Sequence, residues 1–193
     1  MNAIIKPGSP VLFMKIGIHA REPLEEIIKR KLQEVDKAGM AFWGYGGSTC
    51  HPRTMVQPFA TLSEAEGKPI HLVMQKMESN HWAEPVAADE YSVDGQNWLA
   101  IPRGIRVLGS RYALVIEDLK EADFQLPLAR TRVALGPSTG KIGRDYIMGR
   151  VDKACLELGP ESDIPVAPEE STPIGLVAKL KQPYAVFLRN KLA

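Results

Sequence analysis

The spacing of apolar and polar positions divides the chain into helices and strands, and its clearest element is a helix near the N-terminus. Five apolar residues recur at helical spacing on one stripe: Leu24, Ile27, Ile28, Leu32 and Val35. Pro23 is suited to a first helical turn, and Gly39 to the position just beyond the last turn. The pattern predicts a helix over residues 23–38.

Apolar runs on either side of this helix predict strands. Residues 11–18 form a nearly continuous apolar run, which is typical of a strand buried on both faces. A second strand, rich in aromatic residues, is predicted over 41–45, a short helix over 59–66, and a third strand over 70–74. This succession predicts an N-terminal β-α-β-α-β unit with the rhythm of a right-handed crossover.

The pattern changes in the second half of the chain. Asp94-Gly95 is a two-residue turn signal between two apolar stretches and predicts a β-hairpin. Further strands are predicted over 111–116 and 131–135, and a helix over 145–158. Together these elements predict an α+β fold: a mixed β-sheet with the N-terminal unit, then the hairpin, further strands and a C-terminal helix.

A change in composition at Gly159 suggests how the domain is organised. Four prolines and several acidic residues fall within residues 159–173, a composition typical of an extended linker. We therefore expect a single globular domain over 1–158. The mixed apolar and basic segment 174–193 is expected to dock on this body or on a partner.

Composition and charge exclude several classes of protein. With 45% apolar and 24% charged residues, the chain has the balance of an ordinary folded domain. The formal charge of +1 excludes a polybasic protein that coats nucleic acid by charge alone. The total hides an asymmetry, because residues 51–102 carry three basic and seven acidic groups, whereas residues 103–153 carry ten and six. If the basic residues of the second segment lie on one face, that face could bind an anion.

Membrane insertion and export are not expected from the sequence. No apolar run approaches the roughly 18 residues that a membrane-spanning helix needs. Residues 1–10 lack the basic flank and the apolar stretch of a signal peptide. Two cysteines, Cys50 and Cys155, are too few for a disulfide framework, which fits a reducing cytoplasm. The prediction is a soluble cytoplasmic protein with no membrane partner.

The loop after the second predicted strand combines residue types that bind phosphates. In open α/β sheets, ligands bind where loops leave the carboxyl ends of strands, and residues 46–57 form such an exit. Glycines let backbone N–H groups approach a ligand, hydroxyls and an arginine add polar contacts, and aromatic rings offer stacking faces. We expect a phosphate, nucleotide or base-containing ligand to contact Trp43, Tyr45, Gly46, Gly47, Ser48, Thr49, His51 and Arg53. The alternative is a tight turn whose hydroxyls cap backbone groups.

A second glycine-rich turn, residues 136–141, resembles a phosphate-binding P-loop without being one. Three residues rather than four separate its glycines, and Ile142 stands where a P-loop has serine or threonine, which excludes a Walker-type NTPase. Lys141 and Arg144 nevertheless precede a predicted helix, whose N-terminus favours anions. We predict a contact from these two residues to a phosphate or an acidic partner. The alternative is a solvated basic loop.

Cys50 and His19 are the candidate catalytic residues. If the strands at 11–18 and 41–45 are parallel neighbours, both strand exits lie on one edge and His19 approaches Cys50, which could then act as a thiolate nucleophile. A buried, inert cysteine is the commoner alternative. The donors His19, Cys50, His51 and His81 show no zinc-motif spacing, so no metal site is predicted. Trp82, on a predicted loop, is a candidate binding residue or a cover over the core.

Three functions are consistent with these patterns. The leading hypothesis is a soluble intracellular protein that binds a phosphorylated ligand, either a nucleotide or a nucleic acid, through the two glycine-rich segments. The alternative is a non-enzymatic interaction or regulatory protein that acts through its C-terminal segment or basic face. The third is a small enzyme that uses either His19 and Cys50 or a site with His19, Ser48 and Thr49. The second of these sites loosely resembles that of enzymes of NAD-dependent ADP-ribosyl transfer, but the sequence has no convincing catalytic glutamate at a diagnostic position. The sequence leaves cofactors, enzymatic activity and oligomeric state open.

Overall fold

The structure is a computed structural model that describes residues 5–80, 83–148 and 151–192. Within these residues the chain forms one mixed sheet of nine strands: β1 (Pro10–Ile18), β2 (Ala41–Tyr45), β3 (His71–Asn80), β4 (Glu90–Ser92), β5 (Leu99–Ala100), β6 (Tyr112–Leu126), β7 (Thr131–Val133), β8 (Lys153–Leu158) and β9 (Thr172–Arg189). Three helices accompany the sheet: α1 (Leu24–Ala38), α2 (Gln57–Ala65) and α3 (Gly143–Ile147). A π-helical turn, Pro52–Val56, leads into α2. The expected α+β class with a mixed sheet is confirmed.

The strands follow the order β2-β6-β9-β3-β1-β8-β7. β1 and β3 are parallel, the other neighbours along this path are antiparallel, and β4 joins β9 and β5 at the side. β1 reads as a continuous apolar run because both of its faces are covered. Leu12 belongs to the core under α1 and α2, whereas the next residue, Phe13, belongs to the core that includes Ile147 of α3.

The expected parallel pairing of β1 with β2 is wrong. β2 pairs with β6 at one end of the strand order, and three strands (β6, β9 and β3) separate it from β1. The parallel neighbour of β1 is β3. The prediction failed because the separating strands β6 and β9 come from distant parts of the chain, and local periodicity carries no information about such pairings.

The expected C-terminal helix over 145–158 is also wrong. Helix α3 ends at Ile147, residues 149–150 lie outside the described residues, and Lys153–Leu158 form β8 between β1 and β7. Five of the six residues of β8 are buried, including three consecutive apolar residues from Ala154 to Leu156. Such a short apolar run fits a buried strand as well as a helical segment, and tertiary pairing selected the strand.

The C-terminal segment is part of the body of the sheet. β9 pairs with β6 from Thr172 to Phe187, and residues 176–179 also pair with β3. Its side chains reach both cores, since Leu176 lies in the first cluster and Val177 in the second. Among the described residues, no helix has the length and apolarity needed to cross a membrane.

Helix α1 is held to the sheet by polar as well as apolar contacts. Gly39 ends the helix in the left-handed conformation (φ 73°), and its N–H donates to Val35 O at 2.9 Å. On the buried side, Lys31 Nζ lies 3.0 Å from Glu34 Oε2, and the Arg106 N–H donates to Glu34 Oε1 at 3.0 Å. This buried ion pair fixes the segment that leads into β6.

Candidate functional site

The glycine-rich loop, residues 46–51, is fastened by two hydrogen bonds near its C-terminal end. The buried Tyr45 hydroxyl donates to Cys50 O at 2.6 Å, which folds the loop back on the strand it has just left. Thr49 Oγ1 donates to Asp152 Oδ1 at 2.6 Å, immediately before β8. Cys50 has a φ of 51°, in the left-handed region, so the turn is tight at this point. The loop is therefore an ordered structure that presents Gly46 and Ser48 to solvent.

A buried ammonium group lies under this loop. Lys153 Nζ is 2.7 Å from Asp152 Oδ2 and 5.1 Å from the centre of the Tyr45 ring, and its side chain is 5% exposed. Burial alone would raise the pKa of Asp152, but hydrogen bonds from Lys153 and Thr49 lower it below the ordinary value. The carboxylate thus neutralises the ammonium, so Lys153 adds little net positive charge beneath the loop.

Three rings form a continuous surface beside the loop, which we call the aromatic row: His51, Tyr112 and Phe187. Tyr112 of β6 and Phe187 of β9 are cross-strand partners with ring centres 5.5 Å apart. His51 packs edge-on against Tyr112 with ring centres 5.3 Å apart. All three side chains are half-buried, so the row is held in place while part of each ring meets solvent.

His51 has a structural role in addition to its place in the row. The Arg53 N–H donates to His51 Nδ1 at 3.2 Å, which caps the π-helical turn that follows. Because Nδ1 is the acceptor in the neutral ring, Nε2 carries the proton and points to the Tyr112 hydroxyl oxygen at 3.4 Å. His51 therefore ties the glycine-rich loop to strand β6.

Arg53 and the β4–β5 hairpin border the aromatic row. The Arg53 guanidinium carbon lies 6.0 Å from the centre of the Phe187 ring, and Nη1 donates to Asp94 O at 3.1 Å. Asp94 is fixed in turn, since its carboxylate accepts the N–H groups of Gln96 and Asn97, each at 2.8 Å. These backbone hydrogen bonds hold the pKa of Asp94 well below its ordinary value. These groups border a narrow crevice with no room for a water molecule, which is lined by Pro52, Arg53, Gln57, Tyr112, Ala185, Val186 and Phe187.

The glycine-rich loop fits closely against the row. A Cβ atom on Gly47 would lie 2.6 Å from Tyr112 Cε2, closer than any ordinary contact, whereas one on Gly46 would meet Lys153 Nζ at 3.7 Å. Trp43 and Tyr45, which the sequence offered as stacking residues, are 4% and 1% exposed and belong to the core. The partly exposed rings belong instead to His51, which the sequence offered as a ligand contact, and to Tyr112 and Phe187, which it did not.

His19 and Cys50 have different partners. His19 Nε2 lies 3.1 Å from Leu108 O and 3.0 Å from Ser110 Oγ. Cys50 is buried, and its Sγ lies 3.2 Å from Cys155 Sγ. The parallel strand pair on which the His19–Cys50 hypothesis depended is not formed. The partner of the Cys50 thiol is the Cys155 thiol.

The second glycine-rich segment lies against the π-helical turn that follows the first. A Cβ on Gly136 would lie 2.9 Å from the methyl carbon of Met55, which belongs to the π-helical turn after His51. Lys141 is exposed, but Arg144 is paired with Asp145 at 2.9 Å and with Glu170 at 3.0 Å. Helix α3, which follows Lys141, has only five residues and is shorter than the helix predicted over 145–158.

Four residues of the site were missed by sequence reasoning: Asp94, Tyr112, Asp152 and Phe187. Tyr112 was placed on a predicted strand, but nothing local links it to Phe187, 75 positions later in the chain. Asp94 was assigned to a turn, and the turn is where it is found. His81 and Trp82 lie outside the described residues.

Comparison with known proteins adds no family to these observations. No protein-family model, curated protein or solved structure matches this chain. Within the part of the chain that the structure describes, no group of three or more His, Cys, Asp or Glu side chains is placed to hold a metal ion. Any function of the site must therefore be inferred from the positions and chemistry of its own residues.

Proposed function

We propose that this protein binds a nucleotide or a nucleic acid strand at the aromatic row and the adjoining glycine-rich loop. The observation that carries this proposal is the juxtaposition of partly exposed rings with an exposed arginine and an exposed glycine. His51, Tyr112 and Phe187 supply the rings, and Arg53 and Gly46 border them. A ligand with both a flat base and a phosphate matches both parts of this surface.

The rings suit a base because they are already ordered. Stacking of a base on an aromatic side chain contributes about 1–3 kcal/mol and tolerates any base, because every base has a π face. Tyr112 is held between His51 and Phe187, so a ligand has little side-chain freedom to remove when it binds.

The polar rim suits a phosphate. Arg53 is exposed, and its guanidinium is positioned by the Phe187 ring and by Asp94 O, which leaves further N–H donors for an anion. Gly46 and Ser48 add an exposed backbone position and an exposed residue with a hydroxyl group, on either side of Gly47, which lies against Tyr112. Lys153 contributes little net charge, because Asp152 neutralises it.

Fluorescence anisotropy with labelled mononucleotides and short single-stranded oligonucleotides tests the proposal. Replacing the ring in Tyr112→Leu should weaken binding roughly 5- to 150-fold, the equivalent of about 1–3 kcal/mol. Tyr91→Leu is the matched control, since Tyr91 is also half-buried but packs edge-on against Phe42 in a different core cluster. Equal affinity of both variants and the wild type would contradict the assignment of the row.

The charge contribution is tested with the same assay at several salt concentrations. Arg53→Gln should weaken oligonucleotide binding and reduce the slope of log affinity against log salt by about 0.7, the value for one phosphate contact on a single strand. Lys29→Gln, an exposed cation on α1, removes the same charge away from the row and should leave the slope unchanged. Non-specific binding of nucleic acid by proteins has dissociation constants as weak as about 100 μM. If no probe binds at a protein concentration of about 100 μM, the proposal is refuted.

A further inference from the structure

The two cysteines of the chain meet beneath the glycine-rich loop. Cys50 lies at the end of this loop and Cys155 in the middle of β8, 105 positions later, yet their Sγ atoms are 3.2 Å apart. Both side chains are buried in the same core cluster, with 4% and 1% of their surface exposed. Nothing in the proposed ligand binding uses either thiol.

The surroundings of the pair distinguish the two sulfurs. The hydrogen bond from the Cys155 thiol is the main influence that lowers the pKa of Cys50, and the Lys153 ammonium acts in the same direction. Burial raises the pKa of Cys155. When one thiol of the pair ionises, the negative charge therefore falls on Cys50 Sγ and Cys155 keeps its proton.

We propose that Cys50 and Cys155 form a reversible intramolecular disulfide that fastens the glycine-rich loop to β8. With a peroxide as the oxidant, the Cys50 thiolate attacks one peroxide oxygen, the O–O bond breaks, and the departing hydroxide takes up a proton, leaving a sulfenic acid and water. Cys155 Sγ then attacks the Cys50 sulfur, the S–O bond breaks, and the hydroxyl leaves with the Cys155 proton as a second water. Two thiols are oxidised by two electrons, and one peroxide is reduced to two waters.

The geometry requires a small movement of one partner. A disulfide bond is about 2.05 Å long, so the sulfurs must approach by roughly 1 Å. Cys155 is held in a strand, where it is paired with Leu12 of β1 and accepts the Ala134 N–H at 2.9 Å. Cys50 lies in a turn outside the strands, so the loop supplies the movement and is drawn toward β8.

The test uses the full chain without any ligand, so it is independent of the proposed binding function. The reduced protein is treated with a small excess of hydrogen peroxide, and free thiols and intact mass are followed with time. We expect both thiols to disappear together, the monomer mass to fall by about 2 Da, peptide mapping to link Cys50 to Cys155, and dithiothreitol to reverse the change. The matched variant Cys155→Ser should instead accumulate a sulfenic acid on Cys50 that dimedone traps.

Hydrogen exchange then measures whether the bond fastens the loop. Amides of residues 46–51 should exchange several-fold more slowly in the oxidised protein than in the reduced protein, while those of α1 should be unchanged. Two persistent free thiols in the folded wild type, under conditions that oxidise the urea-unfolded chain, would overturn the proposal. Disulfides only between molecules, or equal exchange rates over residues 46–51, would also overturn it, and neither result depends on the folding of a variant.

Discussion

The contact between the glycine-rich loop and the aromatic row makes a sharp prediction for Gly47→Ala. The added methyl group would lie 2.6, 3.3 and 3.4 Å from Cε2, Cδ2 and Cζ of Tyr112, whereas carbon atoms are in favourable contact at about 3.5–4.0 Å. The ring cannot simply swing away, because His51 and Phe187 pack on it. Forcing an extra methyl into packed surroundings costs about 1–3 kcal/mol.

The matched control is the neighbouring glycine. Neither Gly46 nor Gly47 has a positive φ, so alanine is conformationally acceptable at both positions, and the new Cβ in Gly46→Ala meets only Lys153 Nζ at 3.7 Å. We expect this control to change the free energy of unfolding by less than about 0.5 kcal/mol. Gly47→Ala should lower the melting temperature by roughly 2–12 °C for a chain of this size.

Urea unfolding followed by circular dichroism measures both variants against the wild type. If Gly47→Ala is as stable as Gly46→Ala, the loop does not pack on Tyr112, and the geometry on which the proposed site depends is wrong. If both variants lose the same stability, the cost lies in the backbone of the loop and the ring contact is again refuted.

Two further predictions concern the core. Leu114→Ala removes a fully buried side chain from β6 and should lower the free energy of unfolding, measured in urea, by about 2–5 kcal/mol. The control Leu62→Ala changes a residue that is 67% exposed and should lower it by less than about 0.5 kcal/mol. Equal losses in the two variants would contradict the burial of β6. Burial lowers the pKa of Lys31 from 10.5 to about 8, although Glu34 acts in the opposite direction. Between pH 8 and pH 10.5, Lys31 is therefore protonated in the unfolded chain and largely neutral in the folded chain, so the unfolded chain binds more protons. The free energy of unfolding of the wild type, relative to that of Lys31→Met, should therefore rise by a few kcal/mol from pH 8 to pH 10.5, and a constant difference would show that this lysine is not desolvated.

The elements that depend on local pattern were predictable, and those that depend on distant pairing were not. The stripe from Leu24 to Val35 and the capping position of Gly39 predicted α1 within one residue at its N-terminal end. The apolar pattern over 145–158 predicted a helix where β8 is found, because short apolar runs occur both in buried strands and in helical segments. The neighbours of β8 are β1 and β7, and their pairing with it decided the outcome.

The candidate site shows the same division. The composition of residues 46–53 predicted a ligand contact, and the structure places residues 46–51 in an ordered loop and Pro52 and Arg53 in the π-helical turn that follows. Tyr112 and Phe187 complete the surface through cross-strand pairing, which no local pattern encodes. The burial of Trp43 and Tyr45 likewise follows from tertiary packing, since both belong to the core cluster that includes Ile28 of α1 and Phe59 of α2.

The excess of basic residues over 103–153 in the sequence is partly neutralised in the structure by ion pairs. Basic residues predominate over 103–153, but several are matched by acidic partners from other segments or from adjacent positions. Arg130 lies 3.3 Å from Glu161, and Arg144 lies 3.0 Å from Glu170. A count along the chain could not show these pairings, because the partners lie about 30 positions away. Arg53, in the acidic segment, is the cation beside the aromatic row.

Ultraviolet crosslinking of the wild-type protein to a short single-stranded oligonucleotide, followed by mass spectrometry of the crosslinked peptides, would locate the bound strand on the protein surface. We expect crosslinks to concentrate in residues 46–53 and at Tyr112 and Phe187, and unlabelled oligonucleotide to compete them away. Crosslinks confined to other surfaces, or none at a concentration that gives full binding by anisotropy, would contradict the proposed site.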